Sequence, residues 1–405
     1  MDVLQLKKHS GTVNCTIDLA SSKSESNRAL IINALSGDLS NLSRLANARD
    51  TQTMQLLLSK MDSETWDVLD AGTTMRFLTA FAAAKGLNKL MTGTQRMQER
   101  PIGILVDALR ELGASVSYTN NDGYPPHQIE GFTYAGTNKL TIRGDVSSQY
   151  ISALLMIAPY LPKGLELNLT GKIGSKPYIL MTLNLMRHFG VESTWEGNSI
   201  SIAPQEYTGN DYTIEADWSG ASYWYSIAAL AEEANIQLNG LRKDSLQGDS
   251  VLVELMDQLG VATTFNETGV LLTKKGHVDS LTWDFTHCPD IAQTISVICA
   301  VKGIDIRMEG LESLRIKETD RIDAIANELK KFDVTVSIEG DEVIEIKNAK
   351  FNAQKTTIAT YHDHRMAMAY APLALLTELD IDDPLVVNKS YPDFWADLDS
   401  AGFTF

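Results

Sequence analysis

One phrase recurs along the chain and constrains its fold more than any other feature. It is a short polar or glycine-containing turn that runs at once into an apolar, helix-like stretch of Ala, Leu, Ile and Met. It occurs as Ser22-Lys23-Ser24-Glu25-Ser26-Asn27-Arg28 before Ala29-Leu30-Ile31-Ile32, and as Asp70-Ala71-Gly72-Thr73-Thr74-Met75-Arg76 before Phe77-Leu78-Thr79-Ala80. It returns as Asp145-Val146-Ser147-Ser148-Gln149, Asp217-Trp218-Ser219-Gly220-Ala221-Ser222, His287-Cys288-Pro289-Asp290 and His362-Asp363-His364-Arg365, each before a similar run. The first step between copies is short and the later ones are nearly even at seventy residues or slightly more. That exceeds the period of ordinary solenoid repeats, so each copy is expected to be a small fold of its own. Strand-like segments lie between the turns: Leu140–Ile142, Leu165–Leu169, Ser199–Ile202, Ile236–Leu238, Val270–Thr273 and Val343–Ile346. Second helices are expected over Ile104–Arg110 and Val251–Met256, each closed by a Leu-Gly pair. Six α/β units of helix and strand are the expectation.

The turns hold an unusual residue type. Ser, Thr, Asp and Asn are ordinary helix starters, but Lys and Arg are poor neighbours for the positive end of a helix. Here Lys23, Arg28, Arg76 and Arg365 lie at or just inside such starts. Cations at several helix N-termini make sense where those termini serve anions. A further cationic pair, Lys317 and Arg321 in Ile316-Lys317-Glu318-Thr319-Asp320-Arg321, is four apart in what reads as a helix running on to Leu329. Two cations on one helical face cost about 0.2–0.5 kcal/mol. Glu318, Asp320 and Asp323 are the nearby acids that offset this, and a bound anion would do so better.

With 405 residues, the chain exceeds one ordinary core and suits two domains. The net charge of -17 disfavours nucleic acid and anionic lipid as partners, so any anion site must be built from locally gathered cations. No long apolar run predicts a membrane span, and the start of the sequence lacks the layout of a signal peptide. Three cysteines without paired spacing point to a reducing compartment, the cytoplasm, with Cys299 read as core.

At this point the residues resemble a known family, the 5-enolpyruvylshikimate-3-phosphate synthases. The carrying segments run in order from about Gly11 to Phe394. They are Ser22-Lys23-Ser24 with Ser26-Asn27-Arg28, Ala71-Gly72-Thr73 with Met75-Arg76, and Leu90-Met91-Thr92-Gly93 with Glu99-Arg100-Pro101-Ile102. Ser147-Ser148-Gln149-Tyr150, Ser175-Lys176-Pro177-Tyr178 and Pro289-Asp290 follow. Lys317-Glu318-Thr319-Asp320-Arg321, Asp363-His364-Arg365-Met366-Ala367 and Tyr391-Pro392-Asp393-Phe394 complete the series. Any one is weak; together and in order they are specific.

The resemblance implies a two-domain inverted α/β barrel of six βαβαββ units, three per domain, with the active site in the interdomain cleft. It implies a discontinuous domain of residues 1–20 and 217–405 and a second of 21–216. The implied reaction moves the enolpyruvyl group of phosphoenolpyruvate to the 5-hydroxyl of shikimate 3-phosphate by addition and elimination, on the route to chorismate and aromatic amino acids. Shikimate 3-phosphate would be held by Lys23, Ser24, Arg28, Ser147, Ser148, Gln149, Ser175, Tyr178, Asp290 and Lys317. Phosphoenolpyruvate would be held by Lys23, Gly72, Arg100, Gln149, Arg321, Arg365 and Lys389. Asp290 would take the 5-hydroxyl proton, Glu318 would protonate the methylene carbon, and Lys23 would balance charge at the departing phosphate. No metal or cofactor is implied, glyphosate is expected to compete with phosphoenolpyruvate, and a monomer is expected.

Read without the family, Asp290 is a helix N-cap and Tyr178 a core aromatic. The chain departs from the family pattern at Ala20-Ser21, Asp70, Phe77 (where Pro is common) and Ser313 (where Asn is common). Two rival functions stand beside this one. The sister transferase acting on UDP-N-acetylglucosamine typically carries a reactive Cys or Asp on a mobile loop, near Gln95-Arg96-Met97-Gln98-Glu99 here, and no Cys is present there. A noncatalytic anion binder would keep the cationic turns but would not need Asp290 and Glu318 together.

Overall fold

A computed structural model describes residues 3–174 and 176–405. The chain divides into two compact units. One comprises the residues up to Ser21 together with Glu215–Phe405, and the other Ser22–Ile214. The chain therefore starts in the first unit, leaves it after Ser21 and re-enters it at Glu215. An antiparallel bridge between Ser21 and Ala216 ties the exit to the return.

Among the described residues there are six sheets, and four share one strand order. In the second unit Thr65–Asp67 pairs in parallel with Asn88–Thr92, which pairs antiparallel with His127–Phe132, and that strand with Ala114–Tyr118. Lys139–Arg143, Leu165–Thr170, Ser199–Ile202 and Thr194–Glu196 repeat the pattern. In the first unit it appears in Thr12–Asp18, Glu233–Asn239, Gly269–Lys274 and Val261–Phe265. It appears again in Ser280–Asp284, Asp305–Glu309, Val343–Ile346 and Val336–Glu339. Each copy is a parallel pair, then a helix and an antiparallel hairpin; the pair is joined through a helix, which gives βαβαββ, except that in the copy containing Thr12–Asp18 the whole second unit also lies between the two parallel strands. The other two sheets are reduced. Val3–Leu6, Leu379–Asp382 and Thr356–Ile358 form a three-stranded sheet, and Leu42–Ser43 with Tyr212–Thr213 a two-residue parallel pair. All six expected strand segments lie in strands.

Every one of the six turns leads into a helix: Lys23–Ser36, Gly72–Ala84, Ser148–Ile157, Trp218–Leu230, Ala292–Lys302 and His364–Tyr370. Their starts are fixed by short side chains. Ser22 accepts the N–H of Glu25, Ser147 that of Gln149, Asp217 that of Gly220 and Asp363 that of Arg365. The first three pack on one another inside the second unit, and the last three inside the first. A helix buried on all sides must be apolar on all sides, which is why the five helices after Lys23–Ser36 show little amphipathic period; Lys23–Ser36 keeps Leu30, Asn33 and Ala34 partly exposed. In Gly72–Ala84 only Thr73 escapes burial, and in Ser148–Ile157 only Gln149. The solvent-facing exceptions are at the helix starts, where the polar turns lie. The outer helices Gly103–Leu112 and Leu252–Leu259 end at Gly113 and Gly260, both left-handed, as the Leu-Gly pairs predicted.

One local expectation fails. Lys317 and Arg321 do not share a helix: a 3-10 turn spans Glu312–Ile316, and the helix is Arg321–Lys330. Asp320 stops it from starting earlier, because its carboxylate takes the N–H groups of Ile322 and Asp323 at 3.1 and 3.2 Å. Lys317 and Arg321 therefore form no helical pair, and Arg321 is the first residue of its helix.

Candidate active site

The first unit holds a compact charge cluster built from four chain segments. Arg321 is its hub and is buried to 1% exposure. Its Nε donates to Asp363 Oδ2 at 2.7 Å, one terminal nitrogen to Asp290 Oδ1 at 3.0 Å and the other to Glu318 Oε2 at 2.9 Å. Arg365 reaches the second oxygen of Asp290 at 3.1 Å and its backbone carbonyl at 3.0 Å. Lys317 lies 3.8 Å from Asp290, and Lys389 lies 3.2 Å from Glu318. Lys317, Arg321, Arg365 and Lys389 thus surround Asp290, Glu318 and Asp363, leaving one positive charge in excess. Burial works against the Arg321 cation, but Asp363, Glu318 and Asp290 hold it well above its ordinary value. Burial pulls Lys317 down, with Asp290 opposing.

Of the three acids expected near Arg321, only Glu318 touches it; Asp320 and Asp323 instead bind Arg315 at 2.9 and 3.0 Å. Asp290 is not an N-cap. It sits in the 3-10 turn Pro289–Ile291 with its carboxylate turned to three cations. Asp363 is the residue that the sequence argument missed. It is fully buried, caps the helix carrying Arg365 and clamps Arg321, so one side chain orients two arginines. Its place immediately before His364-Arg365 was the available signal, and a capping role alone does not reveal the second bond. Neighbouring Asp249 is also buried; burial, then the charge of Asp290, pushes its carboxyl up to about 7, and it accepts a hydrogen bond from Ser219. Among the described residues no group of three His, Cys, Asp or Glu side chains is arranged to hold a metal.

The second unit carries cations of a different kind. Arg28 is buried and donates to Thr182 Oγ1 at 2.8 Å, Ser152 Oγ at 3.1 Å and the Ser24 carbonyl at 2.9 Å. Its guanidinium carbon lies 5.3 Å from the Phe77 ring and 5.7 Å from that of Tyr178. Among the described residues no carboxylate pairs with it, and burial lowers it to about 10. Tyr178 is half-buried beside this cation, so it is not a core aromatic. Lys23, at the first position of its helix, pairs with buried Asp50 at 3.2 Å. Gly72 opens the next helix directly against Arg100: a β-carbon there would lie 2.6 Å from the guanidinium. Gln149 donates to Thr73 Oγ1 at 3.1 Å, joining two helix starts, with Ser147 as cap and Ser148 next to it. Ser175 lies outside the described residues.

Lys23, Ser24, Arg28, Gly72, Arg100, Ser147, Ser148, Gln149 and Tyr178 therefore belong to the second unit. Asp290, Lys317, Glu318, Arg321, Arg365 and Lys389 belong to the first. The first set offers cations and hydroxyls suited to anions. The second places two carboxylates on one guanidinium, an arrangement able to move protons.

Comparison with known proteins gives one family. Residues 64–398 match the profile described as EPSP synthase (3-phosphoshikimate 1-carboxyvinyltransferase). The chain is 50% identical over 395 residues to a protein of Bacteroides fragilis (strain YCH46) named 3-phosphoshikimate 1-carboxyvinyltransferase, covering 96% of each. It is 35% identical to the protein of that name from Cronobacter sakazakii, covering 95% of this chain and 96% of that one. Among solved structures, EPSP synthase from Acinetobacter baumannii superposes with a TM-score of 0.81 at 19% identity, covering 99% of this chain and 98% of that one. An enolpyruvyl transferase from Streptomyces tendae superposes with a TM-score of 0.73 at 13% identity, again covering 99% and 98%. These two likenesses bear on the fold alone.

Proposed function

The chain belongs to the EPSP synthase (3-phosphoshikimate 1-carboxyvinyltransferase) family, and we propose how its own residues carry out that family's reaction. The enzyme transfers the enolpyruvyl group of phosphoenolpyruvate to the 5-hydroxyl of shikimate 3-phosphate. The hydroxyl oxygen bonds to C2 of phosphoenolpyruvate while a proton is added at C3. The resulting phosphate-bearing intermediate then loses a proton from C3 and expels phosphate, giving the enol ether. The reaction needs one group to remove a proton from oxygen and another to deliver one to carbon.

Asp290 is proposed as the base for the hydroxyl and Glu318 as the acid at C3. The observation that carries this assignment is the Arg321 fork, which grips both carboxylates through different nitrogens at 3.0 and 2.9 Å. One rigid cation fixes the separation of two groups with opposite tasks. Arg365 and Lys389 add the charge needed by phosphate and carboxylate oxygens, Arg being suited to planar, two-point contacts. From the second unit, Lys23, Ser24, Arg28, Ser147, Ser148, Gln149, Ser175 and Tyr178 are proposed for shikimate 3-phosphate, together with Asp290 and Lys317. Lys23, Gly72, Arg100 and Gln149 are proposed for phosphoenolpyruvate, with Arg321, Arg365 and Lys389; Lys23 would also hold charge at the departing phosphate. The enzyme is further proposed to act as a cytoplasmic monomer. No helix among the described residues is long and apolar enough to cross a membrane. The rival acceptor UDP-N-acetylglucosamine has no comparable support.

The test is phosphate release in a buffer containing a metal chelator, with each substrate alone and with both. Release only with both, matched by formation of the enol ether, is expected. Release from phosphoenolpyruvate alone, or none with both, overturns the assignment.

A further inference from the structure

Arg76 is buried to 3% exposure on the helix Gly72–Ala84, and among the described residues no carboxylate pairs with it. One terminal nitrogen donates to the Gly72 carbonyl at 3.3 Å and contacts Met97 Sδ at 3.4 Å, and the other donates to the Pro101 carbonyl at 2.6 Å. Its guanidinium carbon lies 6.0 Å from the ring of Tyr150, whose hydroxyl donates to the same Pro101 carbonyl at 2.5 Å. Gly72 and Pro101 belong to segments well separated in sequence. They flank the close approach between Gly72 and the guanidinium of Arg100.

We propose that Arg76 is a positioning residue for the phosphoenolpyruvate subsite: it clamps the Gly72 turn to the Arg100-Pro101 segment and leaves its own charge unneutralised behind Arg100. The proposal rests on the assignment of Gly72 and Arg100 to phosphoenolpyruvate given above. A carboxylate partner would stabilise Arg76 better, since a buried cation bonded only to neutral carbonyls is costly. It would also cancel the charge. Carbonyl partners fix the geometry and keep the field positive. Burial, and then repulsion from the Arg100 charge, lowers Arg76, but only to about 10, so it stays protonated near neutral pH. An arriving anion relieves that repulsion, so the two arginines together favour a bound anion more than Arg100 alone. The cationic turn containing Arg76 thus contributes through its neighbours, with its guanidinium spent on backbone carbonyls.

The test compares Arg76→Gln and Arg76→Lys, with Arg100→Ala as a control for the subsite itself, in steady-state assays and thermal melts. Arg76→Gln removes the charge and the fork, and KM for phosphoenolpyruvate should rise about 10- to 100-fold, as expected when a substrate-positioning clamp loosens. KM for shikimate 3-phosphate should stay within about 3-fold. Arg76→Lys keeps the charge but cannot span both carbonyls, and its KM for phosphoenolpyruvate should rise by a smaller factor, so that charge partly rescues binding. If Arg76→Gln does not fold, Arg76→Lys alone decides: a wild-type KM for phosphoenolpyruvate in that variant overturns the proposal. An equal rise in both KM values in step with a lower melting temperature also overturns it, since that marks a purely structural residue. If Arg100→Ala leaves KM for phosphoenolpyruvate unchanged, the subsite assignment falls. If Arg100→Ala raises it and neither Arg76 variant does, only the positioning role falls.

Discussion

Replacing Gly72 with Ala isolates geometry from stability. Gly72 opens its helix with a backbone that ordinary residues adopt. Ala is a better helix former than Gly by up to about 1 kcal/mol and restricts the unfolded chain. The fold should hold, with a melting temperature unchanged or raised by about 2–4 °C. The new methyl, however, would lie 2.6 and 2.7 Å from the terminal nitrogens of Arg100 and 2.9 Å from its Cζ. Ordinary contact begins near 3.4–3.5 Å, so the guanidinium must withdraw by roughly 0.8 Å. A displacement of that order at a substrate-holding group costs on the order of 10²-fold. We expect kcat/KM for phosphoenolpyruvate to fall about 10- to 100-fold, measured by phosphate release at saturating shikimate 3-phosphate. KM for shikimate 3-phosphate should barely move. An unchanged KM for phosphoenolpyruvate in a folded variant would refute the argument, because it would mean that Arg100 relocates without consequence.

Other outcomes follow from the same geometry. Arg321→Met leaves Asp290, Glu318 and Asp363 without their shared cation, and should cost about 3–5 kcal/mol in urea unfolding; a loss below about 1 kcal/mol contradicts the hub role. Phe77→Leu removes one of the rings beside Arg28, and KM for shikimate 3-phosphate should rise about 3- to 30-fold with little change for phosphoenolpyruvate; equal effects on the two substrates count against it. Asp249 has a folded carboxyl raised to about 7, so between pH 4 and 7 the folded state holds a proton that the unfolded state has released. Its contribution to stability is fully present below about pH 4 and is lost as pH rises through about 7. Asp249→Asn cannot lose that proton, and its melting temperature relative to wild type should increase between pH 4 and 7; a difference independent of pH argues against the raised value. Glyphosate should raise the apparent KM for phosphoenolpyruvate without altering the maximal rate, and a noncompetitive pattern removes it from that subsite.

Much of the fold was legible because the six polar turns precede helices that, after the partly exposed Lys23–Ser36, are buried on nearly every side. Such helices carry apolar runs too continuous for any surface element, and the turns mark where each begins. Three of the four full sheets were visible in part through short alternating strands such as Ser199–Ile202 and Val343–Ile346, while the sheet of Thr65–Asp67, Asn88–Thr92, His127–Phe132 and Ala114–Tyr118 was not read. The two reduced sheets were not, because Leu42–Ser43 and Tyr212–Thr213 are too short to show a period. At the site, residue types gave the ligand candidates but not their partners. Lys317 and Arg321 looked like a helical pair because their spacing fits one turn; the capping strength of Asp320 decided otherwise. Asp363 was hidden behind its ordinary capping role, and only the folded chain brings it onto Arg321. Arg76 looked like one more anion-facing cation, and folding turns it towards carbonyls.

The division of labour between Asp290 and Glu318 is tested most directly by hydrogen exchange at the methylene carbon of phosphoenolpyruvate. Glu318 accepts from Arg321 and Lys389, both of which stabilise its anion, so acting as the carbon acid demands a proton held against two cations. In deuterated buffer with shikimate 3-phosphate present, the wild-type enzyme should introduce deuterium at C3 through reversible formation of the intermediate. Glu318→Gln keeps the shape and should suppress that exchange on the order of 10²- to 10⁴-fold, while phosphoenolpyruvate affinity falls only modestly. Exchange at the wild-type rate in Glu318→Gln would contradict the assignment and transfer the role of carbon acid to Lys23.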